Sequence, residues 1–243
     1  MTTRLHGPVP VTVPWYEPVP DVDTTGAHAF TTTRAAGSFG VGGDEPVRDV
    51  MARWDRLRQA LAPHGPRVAT AHQVHGAHIF QHSAAWEGWL RCGDGDGHFA
   101  VDRGTGMAVS IADCVPVFVW HASGAIALLH SGWRGTVARI IERALDLFSA
   151  RGIPSAELSV HLGPAICGGC YEVSADVYTQ LTGRAVDRPT CVDLRAVIAD
   201  HARLAGVRRI SMSTKCTRCD NDQFYSHRAG DAGRQLGVMI APL

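Results

Sequence analysis

The chain has no surplus of charge of either sign: Lys plus Arg and Asp plus Glu number 23 each, and no basic run occurs. That removes the electrostatic footprint of a nucleic-acid binder and leaves small molecules as the expected partners. No apolar stretch approaches the roughly 18 residues of a membrane span. The opening residues also lack the apolar core of a secretory leader, about 7–15 residues long. A cytoplasmic protein with no membrane or nucleic-acid partner is expected. No segment repeats at a fixed period and no linker separates two halves, so residues 1–243 read as one domain. Cysteine is too sparse for a disulfide scaffold, at seven in 243 residues. The count is odd and the chain is large enough to need no staples, which favours thiols kept for ligation or catalysis.

Histidine is plentiful, at 13. Five prolines in the first 20 residues predict an extended N-terminal arm or edge strand, because proline lacks the N–H that a central strand requires. GAHAFTTT (26–33) follows as a strand. Val47, Val50, Met51, Trp54, Leu57 and Leu61 recur at helical spacing and predict a surface helix ending before Pro63. Residues 66–82 read as a strand pair broken at Gly76, and 83–104 as a long loop rich in Gly and Asp, of a length often given to function. GMAVSIADC, VPVFVWH and GAIALLH are apolar and β-branched, as buried strands are. A helix is predicted over 136–150, with Val137, Ile140, Ile141, Ala144, Leu145 and Phe148 on one face. ELSVHLG, VRRISMS and QLGVMIA read as further strands. Ser174 and Asp193 read as caps of helices running to about Gly183 and Gly206. Strands alternating irregularly with helices imply a layered α/β fold with a mixed sheet.

Three residues stand where a strand gives way to a turn: His75 after VATAHQV, Cys114 after MAVSIAD and His130 after GAIALL. Strand ends gather at one rim of a layered α/β fold, where ligand sites lie. Two imidazoles and a thiolate form a three-ligand set for Zn²⁺ with a fourth position open to water, as in catalytic zinc sites. Plainer readings exist, since a strand-end histidine is commonly just hydrogen-bonded and a lone cysteine is commonly a small buried hydrophobe. His72, His75 and His78 could also share a helical face, against which Gly76 argues. Two further pairs, Cys167/Cys170 and Cys216/Cys219, are both C-x₂-C and could form a structural Cys₄ zinc site. Here 45 residues intervene, beyond the usual ribbon spacing, so a reversible disulfide or plain packing is the expectation.

QVHG (73–76), ADCVPV (112–117), HSGWRGT (130–136), LGPAICGGCYEV (162–173) and FYSHRAGDAGRQLGVM (224–239) resemble, in order, the signature blocks of the YfiH/YlmD family. Members of that family have been called multicopper polyphenol oxidases, purine nucleoside phosphorylases and peptidoglycan editing factors. FTTTRAAGS resembles its opening block. The resemblance implies a single three-layer α/β domain and metal ligands at His75, Cys114 and His130. Three departures stand out: HSGWRG replaces the usual HAGWRG, GDGHFAVD (95–102) differs from the family's acidic-Ala-Leu-Val run, and His227-Arg228 replaces a Tyr and Arg.

In the HSGWRGT turn, Gly132 and Gly135 are expected to let the backbone turn, Arg134 to present a cation, and Trp133 either to stack a planar base or to wedge beneath the turn. Arg34, Arg134 and Arg228 are candidates for phosphate binding. Glu172 is the expected general acid–base, with hydrogen bonding to a ligand histidine as its plainer role. The resemblance implies purine nucleoside and phosphate as substrates, with phosphorolysis of adenosine, inosine, guanosine or methylthioadenosine and deamination of adenosine. Deamination suits a His/Cys zinc site like that of the zinc deaminases. Three alternatives remain open: a copper-dependent polyphenol oxidase (laccase) with Cu²⁺ at the same site, a hydrolase editing peptidoglycan precursors, and a Cys114 thiolate nucleophile. The copper reading lacks support from any H-x-H pair.

Overall fold

VPVFVW is apolar on both of its faces, and a strand of that kind needs a packed layer on each side. The computed structural model describes residues 14–22, 26–43 and 45–243, and it supplies those layers by dividing the strands between two sheets. The first sheet holds β1 (Tyr16–Pro18), β2 (His28–Thr32), β3 (Arg67–His72), β5 (Gly88–Asp94), β7 (Thr105–Ile111) and β14 (Gln235–Ile240) in the order β1-β2-β14-β7-β3-β5. The second holds β4 (Ile79–His82), β6 (Gly97–Ala100), β8 (Val115–Trp120), β9 (Ile126–Ser131), β10 (Ser159–Leu162) and β13 (Arg209–Met212) in the order β13-β10-β8-β9-β6-β4. A small ribbon pairs β11 (Glu172–Val173) with β12 (Thr190–Cys191). The helices are α1 (Val47–Leu61), α2 (Trp133–Val137), α3 (Ile140–Ser149), α4 (Ala175–Thr182) and α5 (Leu194–Leu204). None of them is long and apolar enough to cross a membrane.

Side-chain alternation along β8 shows how the layers stack. Val115, Val117 and Val119 face Ile140, Ile141, Ala144 and Phe148 of α3 and Ile198 of α5. Phe118 and Trp120 face the other way, onto Met107, Val109 and Ile111 of β7. On the far side of the first sheet, Leu236, Val238 and Ile240 pack against Val50, Trp54, Leu57 and Leu61 of α1. The mixed α/β class is the one expected, with two sheets lying face to face between the helices where one sheet was read. A continuously apolar strand specifies two buried faces without specifying what covers them, which explains the difference.

Three local expectations are corrected. Residues 83–104 contain β5 and β6 instead of one long loop: β5 is a half-exposed edge strand and β6 is only four residues long, so neither shows a strong apolar pattern. β3 and β4 do not pair with each other but lie in different sheets, and the 73–78 link passes between them. The helix expected over 136–150 is two helices, α2 and α3, broken at Arg139 with φ 61°. His72, His75 and His78 share no helix. Of the expected arm, Tyr16–Pro18 forms the edge strand β1 against β2, while residues 1–13 lie outside the described residues.

Candidate metal centre

The 73–78 link, the β7–β8 turn and the end of β9 meet at one rim of the two sheets. There the ligand atoms of His75, Cys114 and His130 all lie within 4.8 Å of one another. The His75 and His130 rings stand edge to face, with centroids 4.8 Å apart. His75 is exposed, Cys114 half-buried and His130 buried, so the group is open on the His75 side.

Asp96, in the turn between β5 and β6, organises two of the three. Its Oδ1 lies 2.8 Å from Nδ1 of His130 and accepts the His75 backbone N–H at 2.9 Å. Its Oδ2 accepts the backbone N–H groups of Gly76 at 2.7 Å and Val74 at 3.2 Å. The carboxylate thus holds His75 in its left-handed conformation, φ 59°, and engages Nδ1 of His130 so that Nε2 is left to face Cys114. Burial pushes the Asp96 carboxyl up, but the bonds from His130, Gly76 and Val74 outweigh it and hold the group below the usual carboxylate range. Sequence reasoning passed over Asp96. The available signal was the run GDGDG at 93–97, an acidic residue set among glycines where little else could demand it.

Cys114 follows Asp113, which has φ 84° and is itself pinned. Oδ1 of Asp113 accepts the Thr217 hydroxyl at 2.6 Å and Oδ2 accepts the Arg228 backbone N–H at 2.7 Å. Burial opposes charge on Cys114 and on His130, but their mutual attraction prevails: the thiol is held well below its usual range and the imidazole, also bonded to Asp96, well above. Each group thus favours the charged form of the other, thiolate beside imidazolium.

The glycines of HSGWRGT are present for clearance, since neither has a positive φ. A Cβ on Gly132 would lie 3.0 Å from both Cys114 Sγ and His75 Cδ2, and one on Gly135 would lie 2.9 Å from the Gly76 carbonyl oxygen. This corrects the expectation that they let the backbone turn. Trp133 packs against the helix-side core, with the Arg134 guanidinium 4.5 Å from its ring centroid. Arg134 is exposed. Arg228 is exposed as well, donates to the Glu172 carbonyl oxygen at 3.1 and 3.2 Å, and lies 5.2 Å from the Tyr171 ring centroid. Burial pushes the Tyr171 phenol up to about 12; the Cys114 charge raises it further while Arg228 and Arg134 lower it, which places this unforeseen residue among the site's charges. Glu172 projects from β11 as an exposed residue.

Arg34 is engaged elsewhere. Its Nε donates to the carbonyls of Asn221 and Phe224, and its Nη2 pairs with Asp231 at 2.5 Å. Two of its three nitrogens therefore brace the 221–231 segment instead of facing a phosphate.

Two other groups of metal-type ligands occur among the described residues. Cys167, Cys170, Cys216 and Cys219 come together despite the 45 residues that separate the two pairs in sequence, and His82, Cys92 and His98 form the other group. In the latter, His82 and His98 hydrogen-bond each other at 2.9 Å, and burial pushes both imidazoles down, to about 4 and about 3.

The donor set at His75, Cys114 and His130 suits tetrahedral zinc: two imidazoles, one of them oriented by a carboxylate, a thiolate and an open side. Comparison with known proteins agrees with the resemblance in the signature blocks. A family described as multi-copper polyphenol oxidoreductase laccase matches residues 28–242. A purine nucleoside phosphorylase of Mycobacterium tuberculosis is 34% identical over 223 residues, covering 84% of this chain and 88% of its own. One from Deinococcus radiodurans is 33% identical over 236 residues, covering 88% and 89%. The crystal structure of YlmD from Geobacillus stearothermophilus superposes with a TM-score of 0.82 at 28% identity, covering 90% of this chain and 93% of that one.

Proposed function

The chain belongs to the multi-copper polyphenol oxidoreductase laccase family, and from that premise we propose that it is a zinc-dependent enzyme of purine nucleosides, splitting them with phosphate and deaminating adenosine. The observation that carries this reading is the His75–Cys114–His130 group, locked by Asp96 and open on one side. The names of the mycobacterial and deinococcal relatives point the same way. A multicopper oxidase would need a weak axial ligand such as Met and a further cluster of histidines. Among the described residues the two remaining ligand groups are the four cysteines and His82–Cys92–His98, in which the two histidines bond each other.

His75, Cys114 and His130 would hold the zinc, which when bound supplies Lewis acidity and a water of pKa about 7. In phosphorolysis, Arg134 and Arg228 hold the phosphate by charge-assisted hydrogen bonds, and Arg34 acts through the 221–231 segment that carries Arg228. A phosphate oxygen forms a bond to C1′, the C1′–N9 bond breaks and its electron pair passes to the purine. Glu172 relays a proton from the dihydrogen phosphate to N7 of the departing base. The Tyr171 phenol, kept protonated by burial, donates a hydrogen bond to the base. Trp133 walls the turn from the core side and holds Arg134 in place. In deamination, water adds at C6 and ammonia leaves, with Glu172 carrying the proton from the water to the leaving amine. Adenosine, inosine, guanosine and methylthioadenosine share the purine and ribose that these contacts address.

Chromatography of adenosine products tests the proposal. With phosphate, adenine and ribose 1-phosphate are expected; without it, inosine forms slowly. Absence of all three, with cleavage of a peptidoglycan precursor or oxidation of a polyphenol by the copper-loaded protein, would overturn it.

A further inference from the structure

The parallel pairing of β10 with β13 puts Leu162 beside Met212, and both chains leave the sheet at the same end. Each then runs four or five residues to a C-x₂-C pair, and an isolated parallel bridge, Ala165 to Cys216, keeps the two segments side by side on the way. This topology cancels the 45-residue separation that argued against a shared site. The four sulfurs lie within 4.8 Å of one another, and Cys170 Sγ is 3.5 Å from Cys219 Sγ.

We propose that Cys167, Cys170, Cys216 and Cys219 bind a second, structural zinc ion, separate from the His75–Cys114–His130 centre. A tetrahedral ZnS₄ unit with Zn–S bonds of about 2.3 Å has sulfurs about 3.8 Å apart, within the range set by the 3.5 and 4.8 Å separations here. A disulfide needs about 2.05 Å and would join only two sulfurs at a time. The backbone also suits thiolates. The N–H groups of Cys167 and Cys219 both point to Cys216 Sγ, at 3.2 and 3.4 Å, and such donors stabilise negative sulfur. All four ligands come from protein, which leaves no open position and makes the site structural.

The zinc would serve the first centre by bracing it. Thr217, next to Cys216, donates its hydroxyl to Asp113, and Ile166, next to Cys167, donates its N–H to the Asp113 carbonyl oxygen at 3.0 Å. Asp113 precedes the ligand Cys114. Tying the two loops together therefore fixes one ligand of the other site.

The test measures zinc in the full-length protein purified under reducing conditions. A His75→Ala/Cys114→Ser variant, which lacks the first centre, is expected to retain about one zinc per chain through chelator treatment. Adding Cys170→Ser and Cys219→Ser should remove it. Should that last variant fail to fold, cobalt substitution of the first decides: intense sulfur-to-cobalt charge transfer with tetrahedral d–d bands is expected. Zinc-free protein with four alkylatable thiols, a Cys170–Cys219 disulfide, a red iron-containing protein, or a cobalt spectrum without thiolate bands would each overturn the proposal.

Discussion

Replacing Asp96 by Asn removes one charge and almost no volume, so it isolates what the carboxylate does. The side chain is 0% exposed and the His130 side chain 4% exposed, so water cannot substitute. Oδ1 serves His75 N–H and His130, and Oδ2 serves Gly76 and Val74. An amide can present its oxygen to one side only. With the oxygen toward His130, the NH₂ group confronts the Gly76 and Val74 N–H groups, and the loop that carries His75 loosens. With the orientation reversed, NH₂ donates to Nδ1 of His130, which moves the ring proton to Nε2, the nitrogen needed for the metal.

Either outcome weakens zinc binding, by about 10–100-fold on the scale of such supporting contacts, or about 1.4–2.8 kcal/mol. Stability falls too, because a buried N–H left unpaired costs about 1–3 kcal/mol. The native carboxyl lies below its unfolded value, so its stabilising contribution is present above the usual carboxylate pKa and is lost as pH falls through the lower folded value. The Asp96→Asn protein should therefore unfold with a flatter acid limb. Chelator competition gives the affinity, and denaturant unfolding between neutral and acid pH gives the stability. An unchanged zinc affinity together with an unchanged acid limb would refute the assignment of Asp96 as the group that orients His130.

Two further outcomes follow from the same geometry. Between pH about 6 and about 9 the Cys114–His130 pair carries one proton, so zinc binding should release about one proton there and fewer above that range; calorimetry in buffers of different ionisation enthalpy counts them. Gly132→Ala keeps an accessible backbone, φ −80° and ψ −179°, but puts a methyl 3.0 Å from two ligand side chains. It should cost about 1–3 kcal/mol of stability and a larger share of zinc affinity and nucleoside turnover; wild-type affinity and turnover would contradict the close packing.

The residues that announced themselves in the sequence are those whose roles are local. Ser174 accepts from the Val177 N–H and Asp193 from the Arg195 N–H, so α4 and α5 begin where their caps predict. The apolar stripe of α1 places it as well. His75, Cys114 and His130 were legible as a group because strand ends converge in layered folds. What escaped notice depends on which elements neighbour one another. Arg139 breaks a helical stripe through a left-handed conformation that no glycine marks. The two cysteine pairs look unrelated until β10 and β13 are known to run parallel, and β5 and β6 disguise themselves with glycine and exposed charge.

The two aspartates beside the proposed centre help hold side chains from the 73–78 link, the β7–β8 turn and the end of β9 in one place. His75 and Asp113 both have positive φ without being glycine, a conformation that costs about 1–2 kcal/mol for an L-residue. Each is held by hydrogen bonds to a carboxylate: Asp96 takes the His75, Gly76 and Val74 N–H groups, and Asp113 takes Thr217 and Arg228 through its own side chain. Both carboxylates draw their partners from chain segments distant in sequence, so the strain is offset only once the strands have assembled. The positions of the three side chains therefore follow from hydrogen bonds made within the fold. Such preorganisation would lower the reorganisation required of an ion bound at the proposed centre, whose His75 side is exposed.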